Sequence, residues 1–394
     1  MPNKKIAIII VTYNASEYLG ELFSSLEKID YPKDKFEIIV IDNNSNDKSV
    51  KMIKTIATSV IARSEAPGEA TRQSHKDRGL PRSSSQGSDP LAMTANNKIK
   101  IYPIFLKENK GFTGGNNIGI QYAIEKNFDY VYLLNQDTIV DPNFLQEAVK
   151  VGESDEKIGA VQSLLMLWPD KDLINSWGNE IHYLGFAYSG GYKVKITDYG
   201  LRITDQEIAY ASGAACLVKL TALKEIGLFN EDFFMYHEDV DLGWRLWLAG
   251  FRVVLAPKSI VYHKYEFQRS IKKYYFMERN RYMALAQNYS FATLLVLLPA
   301  LCLLDIAMLA YSALGGFWRE EIKVFVYFCS IKNWKKIIAM RKIVQSTRKV
   351  SDKDIIKHFT GVIAFQDVQS PLVKYILNPI FQAYFFLVKM FVRW

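Results

Sequence analysis

The chain has 394 residues, 49% of them hydrophobic, and a formal net charge of +8. This apolar content excludes a chain that is disordered throughout, and the length allows more than one structural unit. The three cysteines are widely spaced and form no CxxC pair, so they predict reduced thiols in a cytoplasmic setting, without a disulfide framework or a zinc site.

Strand and helix patterns alternate along residues 5–151. The continuous apolar, β-branched run KIAIIIVT (5–12) is typical of a strand buried on both faces. Further strands are predicted at 37–42, 98–106 and 129–134, and helices at 16–29 (with Ser16 as N-cap), 46–57, 114–126 and 142–151. Repeated βα units predict a mainly parallel sheet with right-handed crossovers.

Residues 62–97 interrupt this alternation, because they show no apolar periodicity and are dominated by Ser, Gly, Pro, Arg and Gln. A mobile lid is one interpretation. We favour a disordered surface insertion, since the segment offers no apolar anchor for closing over a ligand and loop closure costs little entropy. Beyond it, the pattern predicts strands at 158–167, 208–219 and 252–256 and a helix at 238–249, in a unit that ends at SIVYHK (259–264).

Two polar clusters occupy places that suit ligand chemistry. The segment DYVYLLNQDT (129–138) ends a predicted strand in Asn135-Gln136-Asp137, and HEDVDLGWR (237–245) begins a predicted helix. The carboxyl ends of parallel strands form the ligand crevice of open α/β sheets. One cluster can hold a metal and a phosphate while the other moves a proton, which is what sugar transfer from a nucleotide diphosphate requires.

Six motifs occur in an order that resembles a known enzyme family: VTYN (11–14), IDNNSND (41–47), ENKGFTGGNN (108–117), LLNQDT (133–138), ASGAACLVK (211–219) and HEDVDLGWR. The set is similar to the inverting glycosyltransferases of family 2, which have the GT-A fold, a Rossmann-like α/β sheet flanked by helices. Within that family it looks closest to the rhamnosyltransferase-like branch of bacterial surface-polysaccharide synthesis. The resemblance implies a catalytic domain over residues 1–265 and a helical, membrane-associated region over 266–394.

The resemblance also implies a donor site along the strand ends. Asp42 would bind the pyrimidine ring. The other residues expected to border the donor are Thr12, Tyr13, Asn14, Asn44, Asn109, Gly111, Asn116, Asn135, Gln136, Ser212, Gly213 and Ala214. Glycines at a helix start can offer backbone N–H groups to phosphate. Glycine and asparagine are also common in tight turns, so a purely structural interpretation stays open for several of them.

Asp137 and His263 are the metal ligands that the resemblance implies, for Mg²⁺ or Mn²⁺. The family usually has Asp-x-Asp where this chain has Asn135-Gln136-Asp137, so the first acid is missing. Mg²⁺ keeps several waters and needs few protein carboxylates, which suits a site completed by the donor's own phosphates. The alternatives are a helix N-cap for Asp137 and a structural hydrogen bond for His263.

Asp239 is the general base that the resemblance implies, taking the proton of an acceptor hydroxyl, with Glu238 orienting it or contacting the acceptor. Acids in the first turn of a helix are also favoured by the helix dipole. Asp241 is better explained by an ion pair with Arg245 at i+4. Trp177 and Trp244 are candidates either for stacking on sugar rings or for the core.

The C-terminal third combines positive charge with long apolar runs. Residues 264–394 contain 20 Lys and Arg against 8 Asp and Glu. Residues 282–304 lack charge over a length that can span a bilayer, but both flanks are basic, which favours a re-entrant hairpin over a single span. Residues 371–394 resemble an interfacial anchor, so we expect an anionic membrane surface, and no nucleic acid, as partner. A helical subdomain packed on the catalytic core is the alternative.

These features together predict an inverting glycosyltransferase at the cytoplasmic face of the inner (plasma) membrane. It would move a sugar, rhamnose by resemblance, from a nucleotide diphosphate donor to a hydroxyl of a lipid-linked saccharide in cell-surface polysaccharide synthesis. Two alternatives stay open: a transferase that glycosylates polyprenyl phosphate itself, and a non-catalytic nucleotide-sugar-binding assembly protein.

Overall fold

The computed structural model describes residues 4–65, 99–199, 206–265, 274–364 and 371–394. The strands are β1 (Ile6–Thr12), β2 (Phe36–Asp42), β3 (Lys100–Phe105), β4 (Tyr130–Leu134), β5 (Thr138–Val140), β6 (Ile158–Leu167), β7 (Ile174–Ser176), β8 (Asn179–His182), β9 (Ala187–Ser189), β10 (Ala215–Lys219), β11 (Arg252–His263) and β12 (Phe359–Thr360). The helices are α1 (Leu19–Leu26), α2 (Ser49–Glu65), α3 (Gly111–Glu125), α4 (Phe144–Gly152), α5 (Ile196–Tyr199), α6 (Leu220–Ile226), α7 (Glu238–Leu248), α8 (Tyr274–Asn288), α9 (Phe291–Leu314), α10 (Trp318–Phe328), α11 (Ile331–Thr347), α12 (Asp352–Ile355) and α13 (Asn378–Phe391).

A central sheet has the strand order β3-β2-β1-β4-β10-β6-β11-β5, with β7 paired to β6. The first four strands are parallel to one another, as the βα alternation predicts. Strand β10 runs antiparallel to both of its neighbours, β4 and β6, whereas β11 is parallel to β6. The predicted α/β fold, a sheet flanked by helices, is confirmed, with a second half that is mixed in direction. A small sheet, β12-β8-β9, lies apart from it.

The alternation of side chains along β1 explains why this strand lies in the middle of the sheet. Ile9 belongs to a core that includes Ile120 of α3, whereas Ile8 belongs to the opposite core with Phe144 of α4. Successive side chains of a strand point to opposite faces, so an unbroken apolar run can fill both cores at once. Burying each such side chain contributes about 1.5–3 kcal/mol.

Several predicted boundaries are wrong. Helix α1 begins at Leu19, not at residue 16, because the backbone N–H of Ser16 donates to Asp47 Oδ2 (3.0 Å) and holds the chain in a turn. Only Ala215–Lys219 of the predicted 208–219 strand pairs as a strand, since the chain turns at Ser212, whose carbonyl accepts from the N–H of Ala215 (3.2 Å).

Two further boundaries lie later than predicted. Helix α2 extends to Glu65 and so takes in the first residues of the predicted insertion, whose remainder, 66–97, lies outside the described residues. Strand β11 continues to His263 in place of ending at residue 256, with a register shift between Ala256 and Ile260.

The helical region packs on the α/β unit and also exposes apolar surface. Phe381 and Phe385 of α13 contact the rings of His182 and Tyr183 near β8. Helix α9 runs through Pro299 without a break, so the reversal predicted inside the apolar run is absent, and the chain turns only after Leu314. Within the described residues, α9 is the one helix long and apolar enough to cross a membrane.

Candidate active site

The turn Asn135–Asp137 after β4 lies beside the loop Ser212–Ala214 before β10. Leu134 pairs with Ala215, and the backbone N–H of Asn135 donates to the carbonyl of Ala214 at 2.9 Å. The N–H of Gly213 in turn donates to Asp239 Oδ2 at 3.4 Å. The antiparallel direction of β10 therefore brings the two polar clusters, about a hundred residues apart in the sequence, to one edge of the sheet.

Asp137 and His263 lie together at this edge. His263 Nε2 is 3.4 Å from Asp137 Oδ1, and His263 Nδ1 contacts Asn175 Oδ1 at 3.0 Å. If Nδ1 carries the proton that Asn175 accepts, Nε2 keeps a lone pair directed at Asp137. A carboxylate oxygen and an imidazole nitrogen this close together are ligand types that could hold a divalent ion. The two side chains therefore fit a divalent cation.

The remaining ligands of such a cation would have to come from donor phosphates and water, because the described residues contain no group of three His, Cys, Asp or Glu suited to a metal. The N-cap interpretation of Asp137 is wrong, since the residue precedes strand β5 and α4 begins only at Phe144.

Asp239 has the properties of a base that works near neutral pH. The half-buried carboxylate lies in the first turn of α7, where Oδ1 accepts from the N–H of Val240 at 2.9 Å. Burial raises the pKa of Asp239 to about 6. At neutral pH the group is therefore mostly ionised, yet it is more basic than an ordinary carboxylate and better able to take a proton.

Glu238 differs from its neighbour in ionisation. The side chain is buried, and Oε2 has no hydrogen-bond partner among the described residues. Burial, and next the charge of Asp239, raise the pKa of Glu238 well above its usual range. Burial and the neighbouring charge therefore favour the protonated form of Glu238, and Asp239 is the more acidic member of the pair.

Asp241 and Trp244, on the same helix, are structural residues. Asp241 Oδ2 accepts from Arg245 Nε at 2.8 Å, and both side chains are almost fully buried. Arg245 also donates to the carbonyls of Ile226 and Leu228, so the ion-pair prediction is confirmed. Trp244 is buried against Tyr289 and Phe359, which excludes the sugar-stacking role considered for it.

The ends of β1 and β2 join the Asn135–Asp137 turn in one crevice. Asp42 Oδ1 accepts from Thr12 Oγ1 at 3.3 Å, and Oδ2 accepts from the N–H of Ser45 at 3.0 Å. The N–H of Tyr13 donates to Gln136 Oε1 at 2.7 Å, while the Tyr13 ring is 43% exposed. The structure thus brings three features to the same strand ends: Asp42, which is expected to bind the pyrimidine ring of the nucleotide, the exposed ring of Tyr13, and the turn that carries the candidate metal ligand Asp137.

Asn14 and Asn44 have positive φ angles, 49° and 64°, which only Gly and Asn adopt readily. Asn14 Oδ1 accepts from the N–H of Asn46 (2.9 Å), and Asn14 N–H donates to Ser45 Oγ (2.9 Å). Both asparagines therefore shape the loops around the crevice, and their contact with a donor stays a prediction.

The glycine-rich first turns of α3 are shaped by contact with the loop before α7. Asn109 Oδ1 accepts from the N–H of Gly111, whose φ is +70°. A Cβ at Gly111 would lie 2.3 Å from the carbonyl oxygen of Phe234, so no other residue fits there. The amide of Asn116 donates to the carbonyl of Phe112 in its own helix, and its predicted role at the donor stays untested.

Two polar residues that support the site were not predicted from the sequence. Gln162 Oε1 accepts from the N–H of Ser212 at 3.0 Å and from Asn179 Nδ2 at 2.9 Å, so it fixes the loop that reaches Asp239. Asn175 orients His263. Gln162 is a fully buried amide in strand β6, and this polar residue in an otherwise apolar run could have indicated a structural role. No feature of the sequence distinguished Asn175 in this way.

The chain is similar to curated proteins over about two thirds of its length. It is 24% identical over 263 residues to a poly-beta-1,6-N-acetyl-D-glucosamine synthase of Staphylococcus aureus, a stretch that covers 65% of this chain and 48% of the relative. A synthase of the same name from Staphylococcus epidermidis is 23% identical over the same length. The chain therefore spans about half the length of the curated relatives it matches.

The chain is also similar to solved structures, at lower sequence identity. Staphylococcus aureus TarS 1-349 in complex with UDP is 15% identical, with a TM-score of 0.48 over 98% of this chain and 89% of that one. A family model described as "Glycosyltransferase like family 2" matches residues 2–284. Because this match extends over more than half of the 394 residues, the protein belongs to the family 2 glycosyltransferases.

Proposed function

We propose that the chain is an inverting glycosyltransferase that moves a sugar from a nucleotide diphosphate to a hydroxyl of a lipid-linked saccharide in cell-surface polysaccharide synthesis. The observation that carries the proposal is the path of two hydrogen bonds from Asp239 through Gly213 and Ala214 to Asn135. It brings a basic carboxylate to the same edge as the Asp137–His263 pair.

In this mechanism the acceptor oxygen bonds to the anomeric carbon as the bond from that carbon to the diphosphate breaks, which inverts the configuration. Asp239 accepts the hydroxyl proton. The protonated Glu238 beside it adds no second negative charge next to the nucleophile. A divalent cation, Mg²⁺ or Mn²⁺, bound at Asp137 and His263 would supply charge stabilisation for the departing diphosphate. Asp42 and Tyr13 line the crevice expected to take the nucleotide base.

Two donors are favoured by different observations. The motif set resembles the rhamnosyltransferase-like branch, which favours dTDP-rhamnose. The name of the curated relatives concerns N-acetyl-D-glucosamine, which favours its UDP derivative. We propose rhamnose as the donor sugar and UDP-N-acetylglucosamine as the second candidate.

The test is transfer by the purified full chain with dTDP-rhamnose or UDP-N-acetylglucosamine, with Mg²⁺, Mn²⁺ or EDTA, followed by mass spectrometry of the products. We expect one donor to be transferred to a lipid-linked saccharide only when a divalent ion is present. Transfer to polyprenyl phosphate alone would favour the first alternative, since a phosphate oxygen needs little help from a base. Nucleotide binding without turnover of either donor would favour the non-catalytic alternative.

We further propose that α9 and α13 rest on the cytoplasmic face of the inner membrane. Helix α13 buries one stripe, Phe381, Phe385 and Val388, against the protein. The side facing away exposes large apolar side chains, among them Phe386 (65%) and Phe391 (63%). Tyr384 Oη donates to the carbonyl of Val296, which ties this helix to α9.

Helix α9 has the same organisation, since Leu297, Ala300 and Leu304 are buried and Leu295 and Ile306 are exposed. Lys389, in the last turn of α13, and Arg393, just after the helix, are both exposed and add positive charge at this end of the apolar surface. Apolar area flanked by basic side chains matches the interface of an anionic bilayer.

The membrane proposal predicts that Phe386→Glu combined with Phe391→Glu lowers partitioning onto anionic lipid vesicles by more than about tenfold, given the free energy of burying two phenylalanines. Vesicle flotation measures the bound fraction. Tyr102→Glu is the matched control, because Tyr102 is 48% exposed but lies on the edge strand β3 of the catalytic sheet. Equal flotation of the double variant and the control would contradict the proposal.

A further inference from the structure

The loop before α7 has an unusual backbone. Phe234, Tyr236 and His237 have positive φ angles of 64°, 68° and 63°, although none is glycine. The left-handed region is unfavourable for residues with a Cβ, so such a cluster persists only where surrounding contacts hold it. His237 is followed directly by Glu238 and Asp239, so this backbone sets the position of the candidate base.

Helix α8 supplies those contacts from the other side of the predicted domain boundary. The side-chain amide of Asn280 donates to three carbonyls of the loop, those of Phe233 (3.0 Å), Met235 (2.9 Å) and Tyr236 (2.7 Å). Asn280 is fully buried. An amide group has only two hydrogens, so three acceptors around it mean that at least one hydrogen is shared.

Arg279 fixes the orientation of that amide. Its Nε and Nη2 donate to Asn280 Oδ1 at 2.9 and 2.7 Å, which leaves the NH₂ group of Asn280 for the loop. Arg279 Nη2 also donates to the carbonyls of Asp232 (2.8 Å) and Phe233 (3.0 Å). A guanidinium group can only donate hydrogen bonds. If the Asn280 side chain were rotated by 180° about its amide, its NH₂ group would face the N–H groups of Arg279 and these hydrogen bonds could not form.

The same loop is anchored at both ends to other parts of the site. His237 Nε2 lies 3.0 Å from the carbonyl oxygen of Gly185, and Arg281 Nη1 donates to the neighbouring carbonyl of Leu184 at 2.8 Å. At its beginning, the carbonyl of Phe234 accepts from the N–H of Thr113 at the start of α3 (3.2 Å). The loop therefore connects the segment expected at the donor phosphates with the helix that carries Asp239.

We infer that Asn280, oriented by Arg279, is a positioning residue for sugar transfer: it holds the left-handed loop 233–237 and thereby places Asp239 against the acceptor. The inference deepens the proposed function and rests on it for the role of Asp239. The helical region that we propose to contact the membrane thus also completes the active site, because α8 leads into α9 with only two residues between them.

The test compares Asn280→Ala with Gln287→Met in the full chain. Gln287 is an equally buried amide on the same helix. Among the described residues its side chain has one long hydrogen bond, from Asn230 (3.4 Å), and none to the carbonyls of residues 233–237. We expect Asn280→Ala to lower kcat by about a hundredfold, as a small displacement of a catalytic group does, with the donor KM within about threefold of wild type. Gln287→Met should leave kcat close to the wild-type value.

Amide hydrogen exchange followed by mass spectrometry provides a measurement that does not depend on turnover. Peptides covering residues 233–241 should exchange faster in Asn280→Ala than in wild type and Gln287→Met. Unchanged exchange and kcat in Asn280→Ala would overturn the inference. If wild type shows no transfer, the proposed function fails, while the exchange comparison still tests the loop contact.

If Asn280→Ala does not fold, as judged by circular dichroism, Arg279→Lys takes its place. This variant keeps the charge but loses the paired hydrogen bonds to Asn280 Oδ1. It should show the same faster loop exchange and reduced kcat, and wild-type behaviour in both measurements would again overturn the inference.

Discussion

Replacing Asp239 with Asn should lower kcat for sugar transfer by about 10²–10⁴-fold, the usual contribution of a general base, while the nucleotide donor still binds. The amide keeps the shape of the carboxylate, and its single oxygen can still accept from the N–H of Val240, the shorter of the two hydrogen bonds that Asp239 accepts. It cannot take the acceptor proton. Steady-state kinetics with a labelled donor, together with calorimetric binding of the nucleotide, separate the two effects.

The matched comparison for Asp239→Asn is Glu238→Gln. Because burial keeps Glu238 protonated at neutral pH, glutamine mimics the form already present, and we expect a loss of activity far smaller than for Asp239→Asn. Transfer at the wild-type rate by Asp239→Asn would show that the base has been assigned to the wrong residue.

The pH profile of the wild-type enzyme checks the same assignment. A base must be deprotonated to act, and burial raises the pKa of Asp239 to about 6. The value of kcat/KM should therefore be constant above pH 7 and fall as the pH drops through about 6. A profile that stays flat down to pH 4.5 would contradict this role.

Replacing Asp241 with Asn should destabilise the folded protein by about 3–5 kcal/mol, the cost of removing one partner of a buried ion pair. Arg245 would then be left in the core with a charge balanced only by backbone carbonyls. Denaturation in urea, followed by circular dichroism, measures the change in the free energy of unfolding.

Two comparison variants, one at the buried pair and one at an exposed pair, make this prediction specific. Asp241→Leu combined with Arg245→Met removes both charges and should cost less than the single replacement. Glu320→Gln, which breaks the solvent-exposed contact with Lys323, should leave stability nearly unchanged. An Asp241→Asn midpoint equal to that of wild type would contradict a structural role for the pair.

The parts of the fold that depend on local pattern could be predicted from the sequence. The apolar runs that form β1, β2 and β4 have the expected strand character, and the polar residues that end them lie together as expected. The Asp241–Arg245 pair was also predictable, because an i,i+4 spacing on a helix places two side chains side by side.

The parts that depend on contacts between distant segments could not be predicted. The antiparallel pairing of β10 between β4 and β6 is set by the tertiary arrangement, and the apolar pattern of a buried strand is the same in either direction. Trp244 could have been either a core or a surface aromatic residue. Asn280 gave no signal, since a single asparagine in a helix shows nothing about the carbonyls that surround it.

The attachment of α8 to the loop before α7 has a consequence for anyone who grafts this enzyme onto a relative. The boundary predicted at residue 265 separates Asp239 from Asn280, whereas the family match extends to residue 284, inside α8. In a chimera joined at residue 265, the loop before α7 would be held by a helix of the other protein in place of α8. A junction placed after Asn288 keeps the loop before α7 and its contacts with Asn280 in one protein, so the backbone that positions Asp239 is transferred together with the helix that holds it.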